Sequence, residues 1–125
     1  MAIDRLTFVY DADGTLVGEL RYVVGTLFGG EHCSLCDITH GRLRKRPDFL
    51  ACATRIGLPI EYLHRNDLSG ELADIARDHL PCVIAHDGDR VSLLLGGEAL
   101  RPLHGDVAAF EALVADALAA ADEAR

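Results

Sequence analysis

Two cysteines and a histidine form the most specific chemical pattern in this sequence. Cys33, Cys36 and His40 lie in the segment HCSLCDITH, residues 32–40. If the segment is helical, they occupy positions i, i+3 and i+7 and share one face of the helix. Two thiolates and an imidazole on one face are ligands that suit a tetrahedral Zn²⁺ ion. The spacing therefore predicts a metal site formed by Cys33, Cys36 and His40, with Zn²⁺ as the expected metal.

A tetrahedral site needs a fourth ligand, and the sequence leaves its identity open. The chain has no second C-x-x-C pair, so this ligand is a single residue or a water molecule. The candidate residues are the other cysteines and several histidines: His32, Cys52, His64, Cys82 and His86. Core packing is the favoured role of Cys52 and Cys82, because an unpaired cysteine behaves as a small buried hydrophobe. A half-buried structural histidine is the favoured interpretation of His64.

The same C-x-x-C pair also suits thiol redox chemistry. A helix N-terminus favours the thiolate, which is the reactive form of cysteine. Cys33 and Cys36 would then be the catalytic residues of a dithiol site. Metal binding is favoured over redox chemistry, since His40 adds a ligand that a dithiol does not need.

A second candidate site follows the first apolar run, in the segment FVYDADGTL, residues 8–16. It resembles the first motif of the haloacid dehalogenase-like phosphatases, an apolar strand followed by D-x-D-G-T. The resemblance implies that Asp11 is a nucleophile and Asp13 a general acid, and that both help to bind Mg²⁺. The remaining motifs of that family have no clear counterpart here, and 125 residues leave little room for its larger parallel sheet. In the alternative interpretation Asp13 has no catalytic role and caps the helix that follows the strand.

The elements that position these residues follow from apolar periodicity. Residues 6–10 form a continuous apolar run typical of a buried strand, and residues 15–28 repeat apolar side chains at helical spacing. The later elements are predicted in this order: a helix from Pro47 to Gly57, a strand over 59–64, a helix capped by Ser69, strands over 82–86 and 90–95, and a helix capped by Asp106. Residues 119–125 are expected to fray.

This order is β-α-β-α-β-β-α, the minimal pattern of thioredoxin and glutaredoxin. The segment with the C-x-x-C pair is then a helical insertion after the first helix. Thioredoxin-like folds have a cis proline just before the third strand, so a cis bond is predicted between Leu80 and Pro81. We therefore expect an α/β fold, with a single thioredoxin-like domain over residues 1–125. Residues 11–15 occupy the place where thioredoxins carry their cysteines, so Cys33 and Cys36 do not inherit that role by position.

Composition and charge limit the classes of function. A formal net charge of −8 disfavours non-specific nucleic-acid binding, which needs a surplus of Lys and Arg. No apolar run approaches the ~20 residues of a membrane-spanning helix, and the first residues lack a signal-peptide pattern. We expect a cytoplasmic protein without nucleic-acid or membrane partners. In that compartment the cysteines are thiols or metal ligands rather than disulfides.

Three stretches, taken in order, resemble a small family of uncharacterised bacterial proteins. That family has Asn-Ala-Asp-Ser-Gly or similar after its first strand, where this chain has DADGT at residues 11–15. Its C-x-L-C-x-[LI]-T-[HY]-G block matches residues 33–41, and its F/Y-L-H-[KR] strand end matches residues 62–65. The resemblance implies a thioredoxin-like fold and no established reaction. Asp11 stands where those proteins have Asn, which weakens the phosphatase interpretation.

Three functional hypotheses follow. The favoured one is a metal-binding or thiol-redox site at Cys33, Cys36 and His40. The alternatives are a magnesium-dependent phosphohydrolase that uses Asp11 and Asp13, and a non-catalytic interaction module whose cysteines are structural.

Overall fold

The computed structural model describes residues 3–11, 34–39 and 46–123 of the chain. These residues form an α/β fold around a four-stranded mixed sheet. The strands are β1 (Arg5–Tyr10), β2 (Ile60–His64), β3 (Cys82–Asp87) and β4 (Arg90–Leu95). The helices are α1 (Ser34–Thr39), α2 (Pro47–Ile56), α3 (Gly70–Ala76), α4 (Gly97–Leu100) and α5 (Val107–Glu123). Short 3₁₀ turns follow β2 at Arg65–Asp67 and α4 at Arg101–Leu103.

The strands are arranged in the order β2-β1-β3-β4. β1 and β2 are parallel, so Tyr10 lies opposite His64 at the carboxyl ends of both strands. β3 is antiparallel to β1 and to β4, and the β3–β4 hairpin is formed by the two strands predicted over residues 82–86 and 90–95. The peptide bond between Leu80 and Pro81, just before β3, is cis, as predicted.

β1 is covered on both faces of the sheet, which explains its continuous apolar sequence. On one face, Phe8 and Tyr10 pack in a cluster with residues of α1, α2 and α5. We call this the three-helix face. On the other face, Val9 packs with Ile84 of β3 and Ala76 of α3. We call this the α3 face, and the alternation of side chains along each strand decides which face a residue joins.

Most predicted helix boundaries agree with the structure. α2 begins at Pro47, and Gly57 ends it with a left-handed φ of 74°. The Asp106 carboxylate accepts a hydrogen bond from the Ala109 backbone N–H at 3.0 Å, which is the predicted cap of α5. Ser69 holds the cap position of α3 without a side-chain hydrogen bond to the helix.

Residues 119–123 belong to α5, which continues to Glu123, so the fraying predicted over residues 119–125 is wrong for these five residues; residues 124–125 lie outside the described residues. Alanine is the strongest helix former, and Ala121 packs against the three-helix face, so the final turns are stabilised. The short helix α4 was not predicted from the sequence. The helix predicted over residues 15–28 and the cap predicted at Asp13 lie outside the described residues.

Candidate functional site

Helix α1 is fixed against the carboxyl end of β1 by its buried side. Leu35 and Ile38 are fully buried in the three-helix face. Thr39 is also buried, and its hydroxyl shares a hydrogen bond of 3.0 Å with the hydroxyl of Tyr10. The Thr39 carbonyl accepts a hydrogen bond of 2.8 Å from the backbone N–H of Arg46. These contacts place the middle of the C-x-x-C-x-x-x-H motif at one end of the sheet.

Among the predicted metal ligands, Cys36 lies within α1, so its backbone has the expected helical conformation. Cys33 and His40 are the residues just before and just after α1 in the sequence, and both lie outside the described residues, as does His32. Within residues 3–11, 34–39 and 46–123, no group of three or more His, Cys, Asp or Glu side chains could hold a metal ion. The Zn²⁺ site therefore stays a prediction.

Polar side chains gather where the parallel strands β1 and β2 end. The rings of Tyr10 and His64 are neighbours, with centroids 5.5 Å apart. Asp11 follows β1, and one of its carboxylate oxygens lies 3.3 Å from the guanidinium of Arg65, which follows β2. Asp67 Oδ2 lies 3.5 Å from His64 Nδ1 and accepts the His64 backbone N–H at 2.9 Å. We call these five residues the strand-end cluster.

The strand-end cluster is accessible to small solutes. The side chains of its four ionisable members other than Tyr10 are between 31% and 46% exposed. The carboxyl ends of parallel strands are the usual place for ligand binding in open α/β sheets. The cluster and α1 lie at the same end of the sheet, because Tyr10 contacts both His64 and Thr39.

Two other cysteines are packed in the core. Cys52 of α2 and Cys82 of β3 are fully buried. Burial raises the pKa of the Cys52 thiol, and the negative charge of Glu111 raises it further. Burial also raises the pKa of Cys82 to about 12, with a smaller contribution from the Glu98 charge. Because metal binding and disulfide exchange both require the thiolate, these two thiols are poorly suited to either chemistry.

This burial predicts slow alkylation of Cys52 and Cys82. In the folded chain at about pH 8, we expect iodoacetamide to modify Cys82 more slowly than in the urea-unfolded chain, by a factor on the order of 100 or more. Cys52 is also expected to react with iodoacetamide more slowly in the folded chain than in the unfolded chain. Mass spectrometry of tryptic peptides after timed labelling measures both rates. Equal rates in the folded and unfolded chains would contradict the packing roles of these thiols.

Cys82 and His86 share the α3 face of the sheet, as their spacing in β3 predicts. Cys82 packs there with Val9 and Ile84, and His86 Nε2 lies 2.7 Å from the hydroxyl of Thr7. Helix α1 packs on the opposite face. The sheet therefore separates Cys82 and His86, two candidates for the fourth ligand, from helix α1.

Asp11 directly follows β1, as the resemblance to phosphatases implies, whereas Asp13 lies outside the described residues. β1 has one parallel neighbour, β2, and one antiparallel neighbour, β3. The phosphatase resemblance implies a larger parallel sheet. The antiparallel neighbour therefore disfavours that interpretation.

Sequence reasoning did not assign Tyr10, Arg65 or Asp67 to a site. The sequence does contain a signal for such a site: two predicted strands end in polar residues, at Tyr10-Asp11 and at His64-Arg65. Parallel pairing of these strands brings their ends to one edge of the sheet.

Comparison with known proteins assigns no family. No protein-family model, no curated protein and no solved structure matches the chain. Within the part of the chain that the structure describes, no helix has the length and apolar character needed to cross a membrane.

Proposed function

We propose that this chain is a metal-binding protein in which Cys33, Cys36 and His40 coordinate a Zn²⁺ ion. One observation carries the proposal: α1, which contains Cys36, is held at the carboxyl end of β1 by the hydrogen bond between Thr39 and Tyr10. Helix α1 thus lies at the end of the sheet where α/β folds commonly bind ligands, which supports a site in the segment around it. The donor set of two thiolates and an imidazole suits Zn²⁺, which when bound would supply a structural crosslink or a Lewis acid.

The burial of the other two cysteines supports this choice. Cys52 and Cys82 are fully buried and have raised pKa values. Cys33 and Cys36 are therefore the thiols left for metal or redox chemistry.

We further propose that the domain is thioredoxin-like and cytoplasmic. The described elements follow the expected order, with a parallel β1–β2 pair, an antiparallel β3–β4 hairpin and a final helix. The cis bond before Pro81 lies at the position expected of that fold. The resemblance to the uncharacterised bacterial family points to the same fold.

The decisive experiment measures metal and thiols on the same sample. We expect protein purified under anaerobic, chelator-free conditions to contain about one equivalent of zinc. The double variant Cys33→Ser/Cys36→Ser is expected to lose this zinc, because Zn²⁺ binds the thiolates. Elemental analysis, with thiol counting before and after mild oxidation, measures both properties.

The matched control is Cys82→Ala, which removes a buried thiol on the other face of the sheet. It should retain zinc. Protein without metal that forms a reversible disulfide between Cys33 and Cys36 would replace the metal proposal by a redox one. Protein with neither property, but with a magnesium-dependent activity on p-nitrophenyl phosphate that Asp11→Asn abolishes, would favour the phosphohydrolase. If the protein shows no bound zinc, no reversible disulfide and no magnesium-dependent activity, the non-catalytic interaction module is the remaining hypothesis.

A further inference from the structure

The side chain of His64 is held at the end of β2 by a reciprocal pair of hydrogen bonds. His64 occupies the cap position of the 3₁₀ turn Arg65–Asp67. The Asp67 carboxylate accepts the His64 backbone N–H at 2.9 Å, and the Asp67 backbone N–H donates to the His64 side chain. This arrangement is a capping box, which fixes the cap side chain against the turn. The backbone of the turn therefore determines the orientation of the imidazole.

The capping box also assigns the proton of the neutral ring. The ring nitrogen beside Asp67 is Nδ1, which lies 3.5 Å from Asp67 Oδ2. A neutral imidazole has one N–H donor and one acceptor nitrogen, and Nδ1 is the acceptor because it receives the Asp67 N–H. The distance to Oδ2 agrees with this, since two acceptors share no proton and 3.5 Å exceeds an ordinary hydrogen bond. Nε2 therefore carries the proton and is a hydrogen-bond donor.

Nε2 finds no acceptor in the described part of the chain. The contacts of the His64 side chain there are the capping box and the ring of Tyr10, whose centroid is 5.5 Å away. The side chain is 31% exposed, so a small molecule can reach it. His64 lies at the carboxyl ends of the parallel strands β1 and β2, where α/β folds commonly bind ligands. The fold thus presents a fixed donor at this edge of the sheet.

The charges of the strand-end cluster favour a neutral ligand over an anion. Arg65 is the cation of the cluster, and its guanidinium lies 3.3 Å from the Asp11 carboxylate. Asp67 adds a second carboxylate beside the imidazole. Two carboxylates against one guanidinium leave the cluster negatively charged, which repels anions such as carboxylates and phosphates. A neutral carbonyl oxygen accepts a hydrogen bond without this repulsion.

A neutral imidazole at the start of a helix is suited to carbonyl groups. Some enzymes use the N–H of such an imidazole to polarise the carbonyl of their substrate, and the helix start keeps the ring neutral. His64 has the same arrangement in outline, because Nδ1 accepts a backbone N–H of the turn and Nε2 is left as the donor.

We propose that the strand-end cluster binds a small neutral molecule through its carbonyl oxygen, which accepts a hydrogen bond from His64 Nε2–H. This inference does not depend on the proposed metal site, because it uses none of the residues of that site. It also gives His64 a role other than that of the fourth metal ligand, since a ring nitrogen must be unprotonated to bind a metal ion.

Side-chain nitrogen NMR of the wild type tests the tautomer. The spectrum is recorded at about pH 8, where an ordinary imidazole is neutral. We expect one tautomer of His64, with Nδ1 unprotonated and Nε2 protonated, because the Asp67 N–H occupies Nδ1. A protonated Nδ1, or exchange between the two tautomers, would overturn the inference.

Acetamide, a small neutral amide, is the probe for the ligand. It is expected to shift the His64 Nε2–H signals to saturation, with a half-saturation concentration on the order of 1–100 mM, as is usual for so small a ligand. Acetate is expected to bind roughly fivefold or more weakly, because the cluster is negatively charged. Shifts that do not saturate, or tighter binding of acetate than of acetamide, would contradict the proposal.

The variant His64→Phe keeps a ring beside Tyr10 but removes both ring nitrogens. It is expected to lose the saturable acetamide shift of the Arg65 backbone N–H. A shift that persists in the folded variant would place the probe elsewhere and overturn the proposal. Circular dichroism shows whether the variant is folded. If it is not, the shift of Nε2 in the wild type decides the question.

The matched control is His104→Asn. His104 is exposed and lies outside the cluster, just before α5, and asparagine tolerates its left-handed φ of 49°. This variant should bind acetamide like the wild type. Equal losses of the acetamide shift in His104→Asn and His64→Phe would show that the shift does not report on His64, and the proposal would fail.

Discussion

Replacing Phe8 by alanine is expected to lower the free energy of unfolding by about 3–5 kcal/mol, the usual cost of deleting a buried aromatic ring. Phe8 is fully buried in β1. Its ring centroid lies 5.6 Å from that of Tyr62 and 5.7 Å from that of Phe110, with nearly perpendicular planes. Phe49 completes the group at 6.1 Å. The substitution therefore removes contacts to β2, α2 and α5 and leaves a cavity between them.

Urea unfolding of the wild type, Phe8→Ala and Leu50→Ala, followed by circular dichroism, measures this loss. Leu50 lies on α2 but is 48% exposed, so its truncation should change stability by no more than about 0.5 kcal/mol. Similar losses in the two variants would show that the ring group is not the core. Since domains of this kind are stable by only about 5–15 kcal/mol, Phe8→Ala removes a large share of the total.

The strands could be predicted because each has a simple local signature. β1 is continuously apolar because both of its faces are covered, and the β3–β4 hairpin follows from its turn residues. The end of α5 is harder to predict, because a terminal position favours fraying, whereas helix propensity and the packing of Ala121 extend the helix to Glu123. Helix α4 was missed because its first residue, Gly97, is typical of a turn.

The candidate site could be predicted only in part. Spacing alone groups Cys33, Cys36 and His40, since these residues are close in the sequence. The contact between Tyr10 and Thr39 spans 29 residues, and that between Arg65 and Asp11 spans 54. Such contacts depend on which strands pair and in which direction, and no local pattern encodes that choice. The parallel register of β1 and β2 is such a choice, and it places His64 opposite Tyr10.

A buried polar pair on the α3 face is expected to have the second large effect on stability. Thr7 Oγ1 lies 2.7 Å from His86 Nε2, and the two residues are only 1% and 5% exposed. Among the described residues, His86 Nδ1 has no hydrogen-bond partner. Thr7→Val would remove the partner of His86 Nε2 as well. It is therefore expected to lower the free energy of unfolding by about 1–3 kcal/mol.

His86 also gives the stability a pH dependence of defined sign. Burial lowers the pKa of His86 from its ordinary value of 6.5, and the charge of Arg5, opposite on β1, lowers it further. Glu61 and Asp4 act in the other direction but do not reverse the shift. In this pH range the unfolded chain binds more protons at His86 than the folded chain does, so the free energy of unfolding rises with pH. The contribution is fully present above about pH 6.5 and is lost as the pH falls through the lowered pKa.

The variant His86→Gln isolates this contribution, because glutamine keeps a polar group near the Nε2 position but does not titrate. Urea unfolding at about pH 7.5 and about pH 5.5 should show a loss of stability on acidification in the wild type and a smaller loss in His86→Gln. The exposed-residue control His104→Asn should retain the wild-type difference. An unchanged difference in His86→Gln would mean that other groups set the pH dependence. A smaller difference in His86→Gln would show that the folded chain disfavours protonation of His86. The physical reason is that the protonated ring carries an N–H at Nδ1, which is buried and has no acceptor among the described residues.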